Sequence, residues 1–137
     1  MDTWSDDSDP PADFSGTRVK NWSGAARREI EYESGVPNGW VREWNRDGRL
    51  LLEGFVKDGQ WHGPLTRWGA DGEMLDVSHF DHGTGFYRIF FSSGNLAREI
   101  CLRAGKRHGI TKCWNGQGQL VSEEFYRDGT LVDFFHE

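Results

Sequence analysis

Glycine recurs through this chain on a grid: Gly39, Gly63, Gly85 and Gly109 lie 24, 22 and 24 residues apart. Nine residues after each comes a second glycine (Gly48, Gly72, Gly94, Gly118), and eleven later a third (Gly59, Gly83, Gly105, Gly129). A degenerate first unit has Gly24 and Gly35 in the same places, with Ser15 where the opening glycine would stand, so five units of ~24 residues fill 15–137. A unit that short cannot bury an apolar face of its own, and must stack on its neighbours.

Other positions keep the same frame. An aromatic stands five residues into four units (Trp44, Trp68, Phe90, Trp114), and a straight or γ-branched apolar residue eleven in (Leu50, Met74, Leu96, Leu120). An acid recurs fourteen in, as Glu29, Glu53, Glu99 and Glu123, with Val77 as the exception. Segments such as Trp40-Val41-Arg42-Glu43-Trp44 alternate large apolar with polar residues, the period of a strand, and no stretch sustains a helical period. Asp47-Gly48, Asp71-Gly72 and Asp58-Gly59 have the composition of tight hairpin turns, whose residues tolerate positive φ. The expectation is an all-β fold: a single antiparallel meander of about ten short strands, built from five β-hairpin units.

Composition agrees with a thin structure. Val, Ile, Leu and Phe make up about a fifth of the residues, near the level at which chains cease to fold. Aromatics at 14%, including 7 Trp, compensate, because each removes a large area from water. The net charge of −6 sits mostly in front: Asp2, Asp6, Asp7, Asp9 and Asp13 precede the first basic residue, Arg18. Residues 1–14 are expected to be a disordered acidic tail, with 15–137 as the folded domain and Trp4 the one tail residue able to dock. No secretory or membrane-spanning segment is legible, which leads to the expectation of a cytoplasmic protein.

The residues that might carry chemistry do not converge. His62 and His108 occupy one frame position, immediately before Gly63 and Gly109, which points to a structural role at a turn. Cys101, His108 and Cys113 have none of the spacings of a zinc knuckle, so no metal is expected. Gly116-Gln117-Gly118 falls in a hairpin turn, which is no place for a phosphate loop. The repeated Glu53, Glu99 and Glu123 are expected to pair across strands with Arg42, Arg88, Lys112 or Arg127. Arg98, Arg103, Lys106, Arg107 and Lys112 form a local basic stretch, too sparse on a chain of pI ≈ 5.3 to predict nucleic acid or an anionic membrane as partner. No catalytic residue and no cofactor is expected.

The pattern Gly-x4-aromatic-x3-Gly-x-Leu-x2-Glu-x5-Gly-x2-His-Gly, clearest from Gly39 to Gly63 and Gly109 to Gly129, resembles the MORN-repeat variant of YwqK-type antitoxins, bacterial proteins paired with toxins of competition systems. The resemblance implies a non-enzymatic, protein-binding β-repeat protein that acts as an antitoxin or immunity protein against a cognate toxin. The alternative it carries is a MORN-type structural scaffold or membrane-tethering adaptor. In that setting the partner-binding residues are expected among positions the frame does not require. Trp40 and Trp61 lack aromatic counterparts in most other units and stand near Glu43, Asp47 and Asp58, a combination suited to a basic protein partner.

Overall fold

The structure, a computed structural model, describes residues 2–5, 9–21 and 27–136. Those residues form fourteen strands and no helix: β1 (Asp2–Trp4), β2 (Gly16–Asn21), β3 (Arg27–Glu33), β4 (Val36–Trp44), β5 (Leu50–Lys57), β6 (Gln60–Trp61), β7 (Gly63–Trp68), β8 (Met74–Phe80), β9 (Gly85–Phe90), β10 (Leu96–Arg103), β11 (Lys106–Arg107), β12 (Gly109–Trp114), β13 (Leu120–Arg127) and β14 (Thr130–His136). Four exceed the expected ten. His62 and His108 each interrupt one long strand, dividing it into β6 with β7 and β11 with β12, while β1 precedes and β14 follows the ten strands expected.

Pairing is antiparallel throughout except for β1, which runs parallel to β2. The expectation of one continuous sheet is corrected: β1 to β8 form an eight-stranded sheet and β9 to β14 a six-stranded one. The break has a cause in chain length. Three residues separate turn glycine from strand glycine at Gly59 to Gly63 and at Gly105 to Gly109, and there the entering strand detours and rejoins its ladder. Only Thr84 separates Gly83 from Gly85, and pairing between β8 and β9 ends after the single bridge Asp81↔Thr84.

Two kinds of turn alternate. At Asn45–Arg49, Gly69–Glu73, Phe91–Asn95 and Asn115–Gln119 the first amide donates to the carbonyl four residues on, the glycine amide donates back, and only the glycine has positive φ. This is a type I turn closed by a glycine bulge. At Ser34-Gly35, Asp58-Gly59, His82-Gly83, Ala104-Gly105 and Asp128-Gly129 both residues have positive φ, which is the type I′ geometry. The Asp-Gly pairs expected to turn alike therefore turn in two ways, since Asp58 takes positive φ and Asp47 does not.

The type I′ turns dock on one another. Amides of Gly35, Gly59, Gly83, Gly105 and Gly129 donate to the carbonyls of Phe14, Pro37, Trp61, Gly83 and Arg107 at 2.7–3.0 Å. In four of the five, a side chain accepts the neighbouring amide as well: Ser15 Oγ, at the opening position of its unit, from Ser34, and, one residue before the opening glycine, His62 Nδ1 from His82, Thr84 Oγ1 from Ala104, and His108 Nδ1 from Asp128.

Val41, Leu52, Val56, Leu65 and Phe80 form the buried cluster, with Ile30, Trp61, Tyr87 and Leu102 packed against it. Tyr87 and Leu102 come from the second sheet, so the core spans the break. Arg88 clasps it: its Nε donates to Glu99 at 2.9 Å on β10, and Nη1 reaches Asp76 at 3.2 Å and Ser78 at 3.1 Å on β8. Burial works against the charged guanidinium, but the bonds and charges of Glu99 and Asp76 prevail and hold its pKa above the ordinary arginine value.

The tail differs from the expected disordered segment at both ends. Phe14 is buried, its carbonyl receives Gly35, and its ring lies 6.0 Å from Trp4 and 5.9 Å from Tyr32. Trp4 thus docks, an apolar gain that an acidic composition does not reveal. Asp6, Asp7 and Ser8, and Gly24 of the first unit, lie outside the described residues.

Candidate functional site

Across β3, β4, β5, β7 and β8 the residues Arg28, Glu43, Leu52, Arg67 and Asp76 stand opposite one another in register, on the face that carries the core. Glu43 lies 3.3 Å from Arg28. Asp76, the register mate of Arg67, is instead taken by Arg88. Arg67 is left with its guanidinium 4.7 Å above the Tyr87 ring and a buried Nε without a hydrogen-bond acceptor. It lines an open cleft of about 260 Å³ at the break between the sheets, walled by Glu43, Leu51, Trp68, Phe90 and Phe91. The cleft joins cationic and aromatic surface, a combination that suits contact with another molecule. Arg67 drew no attention in the sequence. The available signal was variation, because its frame position is Glu43, Ile89 and Cys113 elsewhere.

The pairs expected from the sequence form, that of Arg42 with Glu53 on the opposite face of the first sheet. Arg42 meets Glu53 at 2.8 Å and Arg88 meets Glu99 at 2.9 Å. Val77, the exception among the acids, faces Thr66, so both partners change together. Lys112 stands directly opposite Glu123.

On this face Trp40 is 40% exposed, with Phe55 perpendicular to it at 5.5 Å and the Arg42 guanidinium 5.0 Å from its ring. Trp61 is placed quite otherwise. It packs on Phe80 and Tyr87, with ring centroids 6.3 and 6.1 Å away, and over Gly54, where a Cβ would come within 2.8 Å of the indole. Nor do the three acids gather around the two tryptophans. Glu43 faces the core side, while Asp47 and Asp58 occupy turns at opposite ends of β5, about 25 Å apart at 3.3 Å per residue. Of the five expected contact residues, Trp40 alone offers a large ring on the open face.

Among the described residues one group has metal-ligand chemistry at close quarters: His62, Asp81 and His82, with one ligand atom each within 4.8 Å. Asp81 Oδ1 lies 2.6 Å from His82 Nδ1 and 4.0 Å from His62 Nδ1. The lone pair of His62 Nδ1 already receives the His82 amide, and a hydroxyl does that work at the corresponding turns, from Thr84 at the equivalent position and from Ser15 one residue along. The group is therefore a turn support first. His62→Ala is expected to cost about 1 kcal/mol, the net worth of one hydrogen bond, and His62→Thr distinctly less, since Thr84 shows that a hydroxyl serves. Urea unfolding of the two variants is the measurement, and equal losses would contradict this account.

The sulfurs of Cys101 and Cys113 lie on opposite faces of the second sheet. Cys101 shares a face with Glu99, and Cys113 shares the other with Arg98. Burial, and after it the charge of Glu99, pushes the Cys101 thiol up, away from the thiolate a nucleophile needs. No helix among the described residues is long and apolar enough to cross a membrane. Compared with family models and with curated proteins, the chain matches none.

Proposed function

We propose that the chain is a non-catalytic β-repeat protein that binds another protein, and that it works as an antitoxin or immunity protein of the MORN-variant, YwqK-like type, neutralising a cognate toxin in the cytoplasm. The fourteen strands are read as five hairpin units plus an added strand at each end. The recurring dock of one type I′ turn on the next supports that division, because the same two bonds join units whose sequences otherwise differ.

The observation that carries the functional reading is Trp40. An indole left 40% exposed on an open sheet face, braced by Phe55 and stacked by Arg42, is an ordered, preformed contact. Such side chains dominate interface energies and need little ordering on binding. Trp40→Ala is expected to leave the melting temperature nearly unchanged and to weaken capture of the toxin encoded beside this chain by at least about 30-fold, the equivalent of 2 kcal/mol. Trp61→Ala, made in parallel, is expected to destabilise the fold through the cavity it leaves. Unaltered capture by a folded Trp40→Ala protein would remove the residue from the interface, and failure of the wild type to bind that toxin would remove the function.

A further inference from the structure

The outermost strand of the second sheet joins its neighbour differently from the strands inside. At three internal joints the entering strand spends two extra residues: between Tyr32↔Pro37 and Ile30↔Val41, between Val56↔Trp61 and Leu52↔Arg67, and between Leu102↔Arg107 and Glu99↔Lys112. Each detour contains a glycine at positive φ: Gly39, Gly63 or Gly109. At the joint of β13 with β14 that place is held by Asp133, and the strand spends one extra residue, from Tyr126↔Leu131 to Phe125↔Asp133. A change of one residue in register exchanges the two faces of the strand beyond it. Phe135 thereby stands opposite Glu123, where the matching acids Glu53 and Glu99 face Thr66 and Lys112. Leu131, Val132, Phe134 and Phe135 are left 46%, 57%, 54% and 56% exposed.

Outer strands are usually protected by shortness, proline or lysine. β1, at the far end of the first sheet, has three residues and is followed by acidic and proline-containing chain. β14 has seven residues and neither lysine nor proline, and no strand pairs with its outer side among the described residues. From this we infer that β14 is a dimerisation strand, pairing antiparallel with β14 of a second copy of the chain across a two-fold axis. Two things on the strand favour a second copy as its occupant. The strands β2 to β5, β7, β10, β12 and β13 are each covered on both sides by strands of this same architecture, while β8 and β9 meet only at the bridge Asp81↔Thr84, so pairing on the open side of β14 continues an interface the chain already makes. Head-to-tail addition would bring β14 against the short strand β1, whereas the two-fold arrangement uses the long apolar strand twice.

Asp133 opposes this association and so provides its control. It is the middle residue of β14, hence near any two-fold axis, and its Oδ1 accepts the Phe134 amide at 2.8 Å. Two copies bring two such carboxylates together. Sedimentation velocity from about 1 to about 200 µM protein is expected to show a monomer–dimer equilibrium that follows mass action. Val132→Lys and, separately, Phe134→Lys are expected to weaken it at least tenfold (about 1.4 kcal/mol) with little change in melting temperature, because both side chains are exposed. Asp133→Ser, which keeps an oxygen for the Phe134 amide and removes the charge, is expected to tighten it. A monomer across the whole range, assemblies larger than two, a dimer indifferent to both lysines, or weakening by Asp133→Ser would each overturn the assignment.

Discussion

Replacing Gly83 with alanine is expected to cost about 3–5 kcal/mol, the sum of a strained backbone and a forced separation of packed chain. Gly83 has φ +84°, and a Cβ there would lie 2.6 Å from the backbone nitrogen of Gly105. The obstacle is main chain, with no flexible tip to move aside. Displacing it also strains the bonds by which Gly83 donates to Trp61 at 2.7 Å and accepts from Gly105 at 3.0 Å. Gly48 supplies the comparison, since its φ is +79° and a Cβ would meet nothing within 4 Å. Gly48→Ala is expected to cost only the conformational part, about 1–2 kcal/mol. Urea denaturation of both variants separates the contributions, and equal costs would show that the docking of successive turns adds no stability.

Removing Arg88 is expected to be the next most damaging change. Arg88→Met keeps much of the side-chain volume but leaves Asp76 and Glu99, whose side chains are 19% and 22% exposed, without their cation. Breaking one side of a buried ion pair costs about 3–5 kcal/mol, and the remaining water contact here lowers the expectation to about 2–4 kcal/mol. Because the clasp crosses the break between the sheets, proteolysis near His82–Thr84 should also accelerate. The triple variant Arg88→Met, Asp76→Asn, Glu99→Gln should recover part of the loss, since its damage arises from the orphaned carboxylates. Equal stability of the single and triple variants would instead place the worth of Arg88 in its packing.

How far the site could be read from the sequence depends on whether a residue's role is set by its own hairpin. Arg42 with Glu53 and Arg88 with Glu99 were legible because cross-strand partners lie a fixed number of residues apart once the turn is known. Trp61 was not, because its fate depends on Gly54 in the preceding strand. That glycine opens a space for the indole on the core side of β5. At the matching position Arg107 lies over Tyr126 with its guanidinium 5.2 Å from the ring, so residues of different chemistry cover the sheet there, and the lack of an aromatic counterpart was no sign of an open surface. Arg67 escaped for a related reason, since its natural partner Asp76 is claimed by a residue of the other sheet.

The all-β class, the place of every turn in the described units and the pairing of charges within hairpins were already set by the amino-acid sequence. Each of these follows from interactions a few residues apart: glycine at positive φ, alternation along a strand, and opposite charges across a tight turn. Tertiary structure decided the division into two sheets, the burial of Trp61, the docking of Trp4 on Phe14, the solitary Arg67 and the exposed faces of β14. Those outcomes turn on residues brought together from different units, where a difference of two residues after Gly83, or of one at Asp133, redirects everything that follows along the strand. Periodicity carries the average unit, and these features lie in the departures from it.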